Sequence, residues 1–137
     1  MQLTGTFSIT DWQEDTQKSH PQGGKLNKAV VTQAYTGDIV GTSEVHYQLL
    51  YSDDGNAHFN GFECLTGTIN NQSYQLLICL TGEFTNAVAS GRFTIIDCRS
   101  EHCQPELALT GMSGHFRSTQ GGEATYTFET NNNTDIQ

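Results

Sequence analysis

The stretch Val45-His46-Tyr47-Gln48-Leu49-Leu50-Tyr51-Ser52-Asp53-Asp54-Gly55-Asn56-Ala57-His58-Phe59-Asn60-Gly61-Phe62-Glu63-Cys64-Leu65 decides the fold. A strand sends successive side chains to opposite faces. Val45, Tyr47, Leu49 and Tyr51 share one face of the first half, and Phe59, Glu63 and Leu65 share one face of the second. Between them Asp53-Asp54-Gly55 is a hairpin signal, a type I turn closed by a glycine bulge. A three-residue loop there sets Leu49 opposite Phe59, Tyr47 opposite Gly61 and Val45 opposite Glu63. A two-residue loop at Asn70-Asn71, where both residues tolerate positive φ, carries the register onward. Glu63 then faces Ile78, Leu65 faces Leu76 and Gly61 faces Leu80. A slip of one residue would turn this whole apolar set outward, so burial fixes the register.

Outward from this hairpin the same grammar repeats. Strand-like segments lie near 2–12, 26–37, 40–52, 56–69, 73–81, 85–96, 107–118 and 123–130, with turn signals between them. The last is the cleanest: Ala124, Tyr126 and Phe128 alternate with Thr125, Thr127 and Glu129. No segment carries a helical period. The connection from Gln13 to Gly24 reads as a long polar loop, and residues 131–137 as a polar tail after a single domain spanning 1–130. Eight strands joined in sequence make a meander, which loses its open edges by closing into an all-β antiparallel barrel. A two-sheet β-sandwich is the alternative.

The composition bounds the function. The 137 residues are 35% hydrophobic and only 15% charged, which suits strands with one wet face. A net charge of −9 argues against nucleic acid and against an anionic membrane surface. No apolar run approaches the roughly 18–20 residues of a membrane span. The opening Leu3-Thr4-Gly5-Thr6-Phe7-Ser8-Ile9 reads as a strand rather than as a charged segment followed by an apolar one. The expected location is cytoplasmic, with free thiols.

Glu63 is the residue out of place. It shares a face with Phe59 and Leu65, and a buried carboxylate without a partner is costly. It is either a desolvated acid or base near neutrality or a structural acid tied to Tyr47, a backbone amide or a water. Tyr47, Tyr51, Phe59 and Tyr126 are the candidate ligand contacts beside it, with core packing as the plainer role of the tyrosines. Cys98-Arg99-Ser100-Glu101-His102-Cys103, with Asp97 beside it, holds metal-type side chains. It offers one Cys pair and one His where structural zinc needs four ligands, so no metal and two free thiols are expected there, with a local disulfide as the alternative. The five histidines are dispersed, and no glycine-rich loop opens a helix to cradle a phosphate. No cofactor is implied.

Tyr35-Thr36-Gly37-Asp38-Ile39-Val40-Gly41-Thr42-Ser43, Tyr51-Ser52-Asp53-Asp54-Gly55 and Gly61-Phe62-Glu63 carry a family resemblance, together with Leu80-Thr81-Gly82-Glu83-Phe84 and Ala89-Ser90-Gly91-Arg92-Phe93. They resemble a bacterial family of small proteins of unknown function. That family looks like the allene oxide cyclase type of barrel, a closed eight-stranded meander. The resemblance implies the barrel and not the cyclase activity. The chain departs from the pattern at Leu80, where the family usually has a His, and in the loop from Asp97 to Glu106, which looks longer and richer in Cys.

Three functions fit these residues. The first is a barrel that binds a small, largely apolar molecule in its lumen. The second is an isomerase or cyclase on an apolar substrate, with Glu63 as acid or base. The third is a packed barrel that acts through its outer surface as an interaction protein. The outer face carries Leu50, Phe62 and Leu77, an apolar patch of the kind that meets a second copy of the chain.

Overall fold

A computed structural model of the chain describes residues 1–99, 109–119 and 122–130. The described residues contain eight strands and no helix: β1 Gln2–Ser19, β2 Lys25–Gly37, β3 Val40–Tyr51, β4 Ala57–Ile69, β5 Gln72–Thr85, β6 Val88–Cys98, β7 Ser113–Ser118 and β8 Glu123–Glu129. Accordingly, no helix is long and apolar enough to cross a membrane among them. Each strand pairs antiparallel with its chain neighbour, and β8 pairs with β1 to close the barrel. Closure leaves no unpaired edge in the ring, which the sandwich alternative would not achieve.

The central register is the one the hairpin loops dictate. Leu49 lies opposite Phe59, Tyr47 opposite Gly61 and Val45 opposite Glu63. Glu63 lies opposite Ile78, Leu65 opposite Leu76 and Gly61 opposite Leu80. Asn70 and Asn71 both take positive φ, 53° and 66°, as a two-residue hairpin requires. Gly55 closes the Asp53-Asp54-Gly55 loop with φ 89°.

Several boundaries differ from expectation. β7 begins at Ser113 rather than near 107, after a turn closed by the Met112 amide on the Leu109 carbonyl. β5 runs on through Thr85, and its turn is Asn86-Ala87, with φ 52° and 68°. Gly82 reads as a break in the sequence but faces the lumen in mid-strand, opposite Gly91. A Cβ at Gly82 would stand 2.8 Å from Phe59 Cζ, and one at Gly91 2.7 Å from Phe116 Cζ. The two glycines make room for two aromatic rings.

The larger difference is β1, which continues through Ser19 where a polar loop was expected. Its second half pairs with Lys25–Thr32 of β2, and the turn is confined to residues 20–24. A bulge separates the halves: Ile9 lies opposite Gln33, but Asp11 lies opposite Thr32. The extra residue reverses which parity faces inward. Before it Leu3 and Phe7 point to the core; after it Trp12 lies opposite buried Val31, and Glu14 opposite buried Ala29.

The lumen is filled at one end. Leu65, Leu76, Ile78, Ile95, Met112 and Phe128 are essentially sealed from solvent there. The rings of Phe93 and Phe128 stack at 4.0 Å with an interplanar angle of 9°. Close packing of this kind is what holds a small barrel together. The other end is not filled.

Candidate lumen site

At the unfilled end a cavity of about 470 Å³ is lined by residues from all eight strands, with the β5–β6 turn at its rim. Phe7, Trp12, Tyr47, Leu49, Phe59 and Phe116 form its wall, and Tyr51 and Phe84 stand nearer the mouth. The aromatic side chains brace one another. Trp12 stacks on Tyr47 with centroids 6.1 Å apart, and Tyr47 meets Phe59 edge-on at 5.4 Å. Phe116 packs on both Phe59 and Phe7, at 6.3 and 5.9 Å. A braced aromatic wall keeps its shape when empty, as a preformed apolar pocket must.

Two polar side chains, Gln33 and Tyr47, belong to the inner wall. Burial, and then the nearby Glu63 carboxyl, push the Tyr47 phenol well above its ordinary pKa, so it stays protonated. Behind them lies Glu63, 2% exposed. Tyr35 Oη donates to Glu63 Oε2 at 2.6 Å. The Ser43 hydroxyl sits between this carboxyl and Gln33 Oε1, which it approaches at 3.5 Å. Burial raises the pKa of Glu63, and the bonds from Tyr35 and Ser43 only partly oppose it. None of the ion pairs among the described residues involves this carboxyl. Burial also raises the Tyr35 phenol well above its usual value, with the Glu63 charge as the next cause.

The residues singled out from sequence separate into two groups. Tyr47, Tyr51 and Phe59 come together on the cavity wall. Glu63 and Tyr126 do not line it. Glu63 reaches the wall only through Ser43 and Gln33, and its phenol partner is Tyr35 where Tyr47 was the first expectation. Tyr126 Oη accepts from the Ile39 amide at 3.0 Å and donates to the Thr36 carbonyl at 3.1 Å, tying β8 to the β2–β3 turn.

Sequence reasoning missed a third group. Trp12 Nε1 donates to Glu14 Oε1 at 2.8 Å, and Asn27 Nδ2 donates to Glu14 Oε2 at 2.5 Å. Tyr51 also bonds Glu14; burial first, and then this bond, push the Tyr51 phenol up to about 12. Burial would raise Glu14, but the bonds from Asn27, Trp12 and Tyr51 and the charge of Lys25 outweigh it and hold the carboxyl below its usual range. The available signal was the change of parity between Phe7 and Trp12, which marks a bulge.

Among the described residues no three His, Cys, Asp or Glu side chains gather as a metal site would require. Asp97 instead accepts from Arg99 Nε at 2.9 Å. Cys98 is disulfide-bonded where a free thiol was expected, a pairing that spacing alone does not decide. Cys103 and His102 lie outside the described residues. Cys64 and Cys79 are free.

A family model described as "Protein of unknown function (DUF3224)" matches residues 3–130. The chain is also similar to a solved structure, a protein of unknown function from the DUF3224 family of Shewanella oneidensis MR-1. The TM-score is 0.71 at 16% identity, covering 93% of each chain. No curated protein matches. The chain therefore belongs to the DUF3224 family.

Proposed function

We propose that this DUF3224 member holds one small, largely apolar molecule in the lumen of its barrel. The observation that carries the reading is the cavity of about 470 Å³ with its aromatic wall. An eight-stranded barrel either fills itself with side chains or encloses one small ligand. Here one chain does both, at opposite ends. Apolar side chains facing a void forfeit dispersion contacts, and larger residues at Ala89 or Ala124, both on the wall, would fill it. The volume lies in the range of small-molecule sites.

Trp12 is the only tryptophan and stands on the wall, so its emission reports occupancy. Titration with a neutral aromatic probe such as N-phenyl-1-naphthylamine is expected to quench Trp12 saturably, with one site per chain. Ala89→Phe should abolish the effect while the chain stays folded. A linear, unsaturable response would reject the reading.

The acid–base alternative has one favourable observation, the raised pKa of Glu63. Its weakness is placement. A general acid or base must come within about 3 Å of its proton, or within one bridging group, and Gln33 and Tyr47 stand in front of Glu63. A binding role fits the arrangement better, with Gln33 as the polar group that orients a ligand.

A further inference from the structure

We propose that the lumen ligand carries a compact cationic head, an ammonium on an apolar body, seated beside Glu14 and Asn27 in the groove at the barrel mouth. The inference rests on the lumen reading above and adds the chemical class of the ligand.

The cavity meets a polar groove at Tyr51, which belongs to both. Glu14, Lys25, Asn27 and Asp53 line that groove. The body site and the head site share a wall: the Trp12 indole faces the cavity with its ring and gives its N–H to Glu14.

Asn27 shows what the groove lacks. It is only 4% exposed. A carboxylate can only accept, so the Asn27 amide nitrogen must face Glu14, and this fixes its carbonyl oxygen on the other side. That Oδ1 is sealed and has no hydrogen-bond partner. An orphaned buried acceptor carries the full cost of its lost hydration. It can be relieved only by a donor.

Glu14 supplies the charge. Its carboxylate takes three neutral donors, Trp12, Asn27 and Tyr51, and no described ion pair within 4.0 Å neutralises it. Lys25, whose charge acts on Glu14 from a distance, places its ammonium over the Tyr51 ring, 5.3 Å from the centroid. The groove therefore lacks two things, a donor on the Asn27 side and a counter-charge for Glu14, and an ammonium supplies both kinds of interaction. A carboxylate head would meet Glu14, Asp53 and a chain of net charge −9.

The test is calorimetric titration of the full chain at neutral pH with 4-phenylbutylamine, 4-phenylbutan-1-ol and 4-phenylbutyrate. The amine is expected to bind about tenfold more tightly than the alcohol, as a charge-assisted bond implies, and the carboxylate most weakly. Glu14→Gln should lower the amine's affinity several-fold more than the alcohol's, and Asn27→Leu, which removes an acceptor open to either donor, should weaken both. Equal binding of amine and alcohol, or tightest binding of the carboxylate, would overturn the head-group inference and leave the lumen reading standing. Failure of all three probes would count against both. Should either variant not fold, the order of the three probes on the natural chain still decides.

Discussion

At Glu63 the energetic question is which protonation state the barrel holds. Burial raises its pKa, and among the described residues no cation pairs with it. The folded state then binds this proton more readily than the unfolded chain, whose carboxyl titrates near about 4.3. The neutral acid is compatible with folding below that value. As pH rises through the folded pKa the group increasingly opposes folding, by about 1.4 kcal/mol for each tenfold difference in acidity. Glu63→Gln keeps the shape and the acceptor for Tyr35 Oη, and removes the charge. Urea midpoints should show the variant equal to the natural chain at pH 4 and at least as stable at pH 8. A variant less stable at pH 8 would mean that Tyr35 and Ser43 hold a carboxylate, and that the pKa lies below the ordinary value. The sequence placed Glu63 inside because strand parity is local information. It did not separate Glu63 from the cavity, because that depends on Gln33 and Ser43, which occupy other strands.

At the scale of elements, β3, β4 and β5 were legible because each carries one unbroken alternation and each hairpin loop fixes its own register. β1 was not. Its bulge breaks the alternation, so Trp12 read as the end of the strand and Glu14 as part of a polar loop, although both face the lumen end. Asn27 drew no attention in the sequence for the same reason: its role appears only when Glu14 is turned toward it. The outer face of β3 and β4 leaves Phe62 64% and Leu50 49% exposed, with Leu77 half-buried on β5 beside them. We hold to the proposal that a second copy of the chain covers this face. Light scattering at micromolar concentration should then give more than one chain per particle, and Phe62→Glu should reduce it to one by placing a charge in the interface. A single-chain particle for the natural protein would remove this proposal without touching the lumen.

The whole molecule is a barrel with two unlike ends. One end is packed with sealed aliphatic and aromatic side chains, and stability resides there. The other keeps a braced aromatic cavity with a polar edge, and function is proposed there. The meander and its closure follow from hairpin chemistry along the chain, but the division into a filled and an open end depends on side-chain volumes summed across all the strands. Gly82 and Gly91, each giving space to a ring from another strand, illustrate why no local reading finds it. The most direct test of the central claim is native mass spectrometry of the full chain purified from its own host. The account predicts a species heavier than the bare chain by one small organic molecule, released on denaturation and missing from Ala89→Phe. The bare chain mass under gentle conditions, the same for the natural protein and for Ala89→Phe, would contradict it.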